Sequence, residues 1–476
     1  MKKFKINRGI VLRFSVLLFV LFGLRQANQL LAQQLTPEQT LGRSILKELI
    51  EINTTASSGN TTIAANAMAK RFLGAGYAAK DVQVIGPKER NKNVIVRIHG
   101  TGKAKPILFL AHLDVVEALR KDWSMDPFKL TEKDGFFYGR GTSDIKDGAA
   151  ILAANFIRLK NEGYKPDRDL ILALTAGEEG GMDYNGVEWL LNNHRELIDA
   201  EFCINMDAGD PQIKDGKRIS RTVQLSEKAF LSFNLEVKNP GGHSSLPPKE
   251  NAIYRLANGL VKFSKYNFPP QLNEITRSYF DKMSTLETGQ VALDMKAVSQ
   301  NPLDTAAISR LSASPYYNAL IRTTCVATML KGGHAENALP QSATAIINCR
   351  VMPGSKVNEI QNAIENAIDD KQVIVTTIRE FKESPASSLN PAIMKRIEEV
   401  TEQLWPGLMV VPVMEVGATD GFYSRAAGIP TYAVSGVFID VDDVRAHGKD
   451  ERIGVKDFYD GMEYEYVLIK TFGSSE

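Results

Sequence analysis

Leu108-Phe109-Leu110-Ala111-His112-Leu113-Asp114-Val115-Val116 decides how the rest of the 476-residue chain is read. Pro106 precedes it, and Ile107 to Leu110 form a short, unbroken apolar run. Such a run fits a central strand covered on both faces. His112 and Asp114 follow, and side chains two apart on a strand leave the same face. An imidazole and a carboxylate therefore emerge together at the carboxyl end of a buried strand. That end is where open α/β sheets bind ligands. The pattern suits a metal-bound His oriented by a carboxylate. A buried His paired with an Asp suits it equally, so this stretch alone leaves both readings open.

Working outward, helices and buried strands alternate. Thr36-Pro37-Glu38-Gln39 offers an N-cap, a first-turn Pro and a Gln three residues after the cap. The spacing of Leu41, Ile45, Leu46, Leu49 and Ile50 predicts a helix to about residue 52. Further helices are predicted over 62–73, 147–162 and 187–194, with strands at 93–99, 169–174 and 202–206, an α/β layer pattern. After Arg221 the order changes. Strand 229–237, helix 251–266, strands 323–330 and 343–351, helix 357–369 and strand 373–379 make a split βαβ, ferredoxin-like α+β order. Residues 267–322 interrupt it as a long, irregular insertion. From Asn390 the α/β pattern returns with a helix to 405, an extended 409–412, a loop at Gly417, a strand at 431–434 and a helix from 455. The expectation is a mixed sheet flanked by helices, built from 33–221 and 384–476, with an inserted domain over 222–383.

Composition narrows the function classes. Apolar residues are 43% and charged residues 24%, as in globular proteins. The net charge of +1 hides an asymmetry, because the first 32 residues hold six Lys or Arg and no acid. The remainder has 51 basic against 56 acidic residues, which gives no footprint for nucleic acid. Lys2, Lys3, Lys5, Arg8 and Arg13, the apolar run 14–24 and Leu30-Leu31-Ala32 read as a secretory signal over 1–32. The apolar run is too short to span about 30 Å of hydrocarbon. The expected protein is secreted or periplasmic and not stably inserted after cleavage; left uncleaved, the segment would act as an anchor. Three Cys make no disulfide framework. A Cys325–Cys349 bridge is conceivable, but three buried thiols are the favoured reading.

Polar residues recur at the ends of the apolar runs. Gly139-Arg140-Gly141-Thr142-Ser143-Asp144-Ile145-Lys146-Asp147-Gly148 puts Asp144 just before a helix, where it fits an N-cap as well as a ligand. Leu170 to Leu174 leads to Gly177-Glu178-Glu179-Gly180-Gly181, and 202–206 leads to Asp207-Ala208-Gly209. Two adjacent glutamates are costly unless something positive neutralises them. Arg445-Ala446-His447-Gly448 adds a second His. Two His and several carboxylates without Cys suit Zn²⁺ or a harder divalent ion. A carboxylate shared between two such sets suits a pair of metals.

These motifs resemble the aminoacylase–carboxypeptidase–dipeptidase family of dinuclear zinc hydrolases, which includes the succinyl-diaminopimelate desuccinylases. The resemblance runs from about residue 40 to 472 and adds the segments Gly241-Gly242-His243-Ser244-Ser245 and Arg350-Val351-Met352-Pro353-Gly354. It implies a zinc-peptidase catalytic domain with a lid and dimerisation domain inserted. It implies two Zn²⁺ per subunit, with Co²⁺ or Mn²⁺ as substitutes. His112 and Asp207 would serve one metal, His447 and Glu179 the other, with Asp144 bridging. Asp114 would orient His112, and Glu178 would act as general base and acid. A cis peptide is implied at Asp144–Ile145. His243 would reach the other subunit's site in a homodimer and stabilise an oxyanion. Arg350 would hold the substrate carboxylate, with Asn337, Gly417 and a Thr419 hydroxyl contact completing the pocket. The family often has Pro where this chain has Glu117.

The implied activity is hydrolysis of an amide or peptide bond beside a free carboxylate, as a carboxypeptidase or dipeptidase. An N-acyl-amino-acid amidohydrolase is the alternative, and the signal segment argues against cytosolic desuccinylation. A catalytically inactive binding protein on the same scaffold should have lost Glu178 or a ligand, and neither is missing.

Overall fold

The computed structural model describes residues 34–180 and 183–474. The signal segment expected over 1–32 lies outside the described residues. Among those described, no helix is long and apolar enough to cross a membrane.

The first helix, Pro37–Glu51, opens on a closed capping box: Thr36 Oγ1 accepts the Gln39 N–H and Gln39 Oε1 accepts the Thr36 N–H. Its buried face of Ile45, Leu46, Leu49 and Ile50 lies on the helix Lys146–Asn161. That second helix carries apolar residues all round, because it is covered on every side. The sheet and the C-terminal helix Val455–Gly473 complete its cover. Phe156 meets Phe109 of the His112 strand edge to face at 5.9 Å.

A ten-stranded mixed sheet forms the main body. Ile107–His112 is fully buried at its centre, parallel to Leu170–Thr175 on one side and Phe202–Asn205 on the other. The chain leaves these three strands at the same edge, so His112, Glu178, Glu179 and Asp207 converge by topology alone. Lys217–Glu227 extends the sheet further than the expected break at Arg221 and pairs in parallel with Val410–Glu415.

The insertion is ordered. Helices Glu274–Met283, Gly289–Gln300, Thr305–Leu311 and Pro315–Ile321 occupy it, three of them capped by the side chains of Asn273, Asp304 and Ser314. Glu274–Met283 rests on the strand Val410–Glu415, and Phe280, Met295, Ile308 and Ile321 join the core beneath the main sheet.

A separate four-stranded antiparallel sheet has the spatial order Thr324–Gly332, Ser342–Val351, Ala229–Lys238, Ile374–Thr377. Helices Ala252–Phe263 and Val357–Ile368 cover one face and enclose a second core of Leu231, Phe233, Leu235, Ile347, Ile360 and Ile364. The favoured reading of three free thiols is corrected here, for Cys325 and Cys349 form a disulfide. The two residues stand directly opposite in antiparallel register with Cα atoms 4.0 Å apart, within bonding reach of each other's sulfur. Cys203 stays free and buried.

Candidate active site

His112 and His447 approach one carboxylate from opposite sides. Asp144 Oδ1 lies 3.3 Å from His112 Nε2, and Asp144 Oδ2 lies 2.9 Å from His447 Nε2. Asp207 stands 3.8 Å and Glu178 3.9 Å from His112 Nε2, while Glu179 is 2.9 Å from His447 Nε2. Among the described residues, two three-residue sets are close enough to hold an ion, His112 with Glu178 and Asp207, and His112 with Asp144 and Glu179. The Asp144–Ile145 peptide is cis.

Local bonding explains how these groups stay aimed. His112 Nδ1 donates to the main-chain carbonyl of Asp114 at 2.9 Å, which turns the Nε2 lone pair toward the carboxylates. The orienting contact expected from the Asp114 carboxylate is thus made by its backbone. The carboxylate lies 3.8 Å from the ring and accepts the N–H groups of Gly177 at 2.8 Å, Glu178 at 3.3 Å and Glu179 at 3.0 Å. Charge-assisted bonds of this kind contribute roughly 1.5–3 kcal/mol each. They fix the turn that carries both glutamates.

Two residues that sequence reasoning passed over hold the remaining loops. Glu451 Oε1 accepts the N–H groups of Gly141, Ser143 and Asp144, and Glu451 Oε2 pairs with Arg140 at 2.5 Å. Arg140 also donates to the carbonyls of His447 and Gly448. The pair is buried and stitches the Asp144 loop to the His447 loop. It also holds His447 at φ +61°, a left-handed conformation that costs a non-glycine residue about 1–3 kcal/mol. Arg140 sits inside the quoted 139–148 motif and Glu451 four residues beyond His447, but their partnership spans 311 positions of sequence. Lys146 acts similarly, donating to the carbonyls of Leu49 and Ile52 at the end of the first helix. Glu117, where the family often has Pro, accepts the N–H and hydroxyl of Ser57.

The donor set fits divalent cations. His112 Nε2 and Glu179 Oε1 are buried without a hydrogen-bond partner, and both face the cluster. Two imidazoles share the space with the carboxylates of Asp144, Glu178, Glu179 and Asp207, an excess of negative charge that a metal balances. Burial pushes Glu178 and Asp207 well above the usual carboxylate range, and neighbouring acids add to the rise. Burial would raise Asp144 too, but the imidazoles of His112 and His447 beside it outweigh burial and hold the group ionised. Bonds to Asp144 and Glu179 raise His447 to about 10. Two oxyanions thus favour a positive centre at that nitrogen.

Glu178 also lines a cleft of about 300 Å³ with Asn185, Phe230, Phe422 and Tyr423. Thr419 borders it, with its hydroxyl proton given to Glu227 at 3.0 Å and its oxygen accepting from Asn205 and Gly421. Gly417 is exposed, with open space where a Cβ would stand. Arg350 stands across the sheet from Phe230 with its guanidinium 5.1 Å from the ring centre. Burial lowers its pKa, and no acid offsets that shift. His243 is outside the cluster, on the exposed two-residue strand Gly242–His243 paired with Ala338–Leu339. Its Nδ1 accepts the Ser245 N–H, which leaves Nε2 as the donor. Asn337 supports the same tip, its carbonyl accepting the Ser244 N–H.

The family model described as Peptidase family M20/M25/M40 matches residues 108–471. The chain is similar to a probable carboxypeptidase S-like 2 of Dictyostelium discoideum, 32% identical over 381 residues, 77% of this chain and 71% of that protein. It is similar to an N-fatty-acyl-amino acid synthase/hydrolase, PM20D1, of Xenopus tropicalis, 30% identical over 358 residues, 73% of this chain and 69% of that protein. The fold matches an M20 family metallo-carboxypeptidase, Sso-CP2, of Sulfolobus solfataricus with a TM-score of 0.69 at 18% identity, covering 91% of this chain and 99% of that one.

Proposed function

The chain belongs to peptidase family M20/M25/M40 and is a hydrolase of that metal-dependent family, and from that premise we propose that it cleaves an amide bond beside a free carboxylate with two bound zinc ions. The carrying observation is Asp144 between two imidazoles with Glu178 beside them. His112, Asp144 and Asp207 would hold one cation and His447, Asp144 and Glu179 the other, with Co²⁺ or Mn²⁺ as substitutes. The metals would supply Lewis-acid polarisation of the scissile carbonyl and of water. Glu178, held protonatable by burial, takes a proton from water and returns it to the leaving amine.

Arg350 is the anchor for the substrate carboxylate, since its planar fork fits that group and, among the described residues, burial alone shifts it. A free acid should therefore be hydrolysed well and its methyl ester poorly. Arg350→Ala should raise KM for the acid by about 10- to 100-fold, the size of a charge-assisted contact, and leave the ester unchanged. Equal loss on acid and ester would remove Arg350 from this role. Dipeptides and N-acyl amino acids both carry the required carboxylate. The similarity to an N-fatty-acyl-amino acid synthase/hydrolase favours testing the acyl compounds beside the peptides.

Homodimerisation through the inserted 222–383 region, acting also as a lid, is part of the same reading. Thr324–Gly332 is an edge strand whose Val326 and Leu330 are exposed, and such edges invite pairing. Tyr254 and Val261 expose a further apolar surface on the adjoining helix. His243, outside its own chain's cluster, would enter the partner's site as oxyanion donor. Mixing Glu178→Gln with His243→Ala subunits should restore about a quarter of the activity that each lacks alone, through heterodimers. No recovery after confirmed subunit exchange would contradict action in trans. We also place the protein outside the cytoplasm, secreted or periplasmic. The basic-then-apolar start and the Cys325–Cys349 bridge both favour an oxidising compartment.

A further inference from the structure

We propose that the open face of the four-stranded sheet seats an extended apolar group of the substrate, an inference that rests on the hydrolase reading above. Both helices of this region lie on the other face of the sheet. The open face carries a cavity of about 540 Å³, lined chiefly by Phe230, Thr328, Met329, Ile346 and Ile378. That volume falls within the range of built ligand pockets. The cavity adjoins the catalytic cleft, and Phe230 and Glu380 line both. Phe230 and Met329 are large apolar side chains left 53% and 63% exposed at this place, surface that a ligand would remove from water.

The polar inventory narrows the occupant. Ser232 and Asn348 also line the cavity, but Asn348 Nδ2 donates to Ser232 Oγ at 3.0 Å, so they satisfy each other. Arg379 and Glu380, adjacent in sequence and opposite in charge, line it as well, so the wall offers no net charge to a charged occupant. Arg350 stands directly across from Phe230, which borders both spaces. A substrate anchored there by its carboxylate reaches Phe230 first and the apolar cavity next. An acetyl group or an alanine side chain would leave that space unfilled. The chemistry required is a long, uncharged hydrocarbon, supplied either by a fatty acyl chain or by a large apolar amino-acid side chain.

Two substrate series separate these sources. One keeps the amino acid fixed and lengthens the acyl group from acetyl through hexanoyl and dodecanoyl. The other keeps the acetyl group and enlarges the amino-acid side chain from alanine to leucine and phenylalanine. Along one series kcat/KM should rise by roughly three- to fourfold per buried methylene until the cavity is full. Met329→Glu and Ile346→Glu should flatten that rise, measured as the ratio of the longest to the shortest substrate. Two flat series in the wild-type protein would overturn the proposal, as would a steep series that neither substitution changes. Displacement of a fluorescent fatty acid by dodecanoate reads the cavity without chemistry, and binding should weaken at least tenfold in Ile346→Glu. Loss of all turnover with this displacement intact would count against the hydrolase reading alone. Absent or unaltered displacement, beside turnover of acetyl substrates, would count against the cavity alone.

Discussion

Glu178→Gln lowers kcat by about 100- to 10,000-fold, the contribution of a positioned proton carrier, while bound metal stays at the wild-type amount. The substitution keeps the shape of the side chain and its main-chain bond to Asp114, so the turn around Gly177 is undisturbed. What it removes is a carboxylate that burial keeps ready to carry a proton. Metal content makes the result informative. Glu178 lies 3.9 Å and Asp207 3.8 Å from His112 Nε2, so distance alone leaves Glu178 a competing ligand. Retained metal with lost turnover assigns the proton transfer to Glu178. Loss of one metal equivalent per chain would make it a ligand and leave the base unassigned.

Asp144→Ala removes the carboxylate that lies between both imidazoles, and it should lose both metals together with activity. Loss of an outer partner of a metal ligand weakens binding by roughly 10- to 100-fold, and loss of a shared ligand should exceed that. The readout need not be turnover. A ligand present at about 1,000 times its Kd stabilises a fold by about 4 kcal/mol, so added Zn²⁺ should raise the wild-type melting temperature and leave that of Asp144→Ala nearly unchanged. His112 would then face only Asp207 and Glu178, and His447 only Glu179. Wild-type metal affinity in Asp144→Ala would contradict the bridging role.

The parts of the fold and site that could be read from sequence are those set by local pattern. The apolar run before His112 reads as a buried strand because period and composition agree, and the structure places it at the sheet's centre. Glu178, Glu179 and Asp207 follow similar runs, so parallel topology alone gathers them at one edge. Less legible were features that depend on register or on distant partners. The Cys325–Cys349 bond follows from which residues of two strands face each other, and a shift of one residue would part them. The Arg140–Glu451 pair is an encounter of two loops far apart in sequence. Residues 267–322 looked irregular because four short helices share them, and their apolar faces pack on the core beneath the main sheet rather than on one another alone. Spacing on the strand points to the Asp114 side chain as the support for His112. A strand-end turn can also offer its carbonyl, and the periodicity of side chains is silent about that choice.

The most direct test of the account is a metal titration of the purified, chelator-stripped protein. Zn²⁺ is added in known equivalents while hydrolysis of an N-acyl amino acid and bound metal per chain are followed together. Two carboxylate–imidazole sets sharing Asp144 predict bound metal and activity that level off together at about two equivalents per chain. Turnover that saturates at one equivalent, or that persists with no metal bound, would contradict a site built around Asp144.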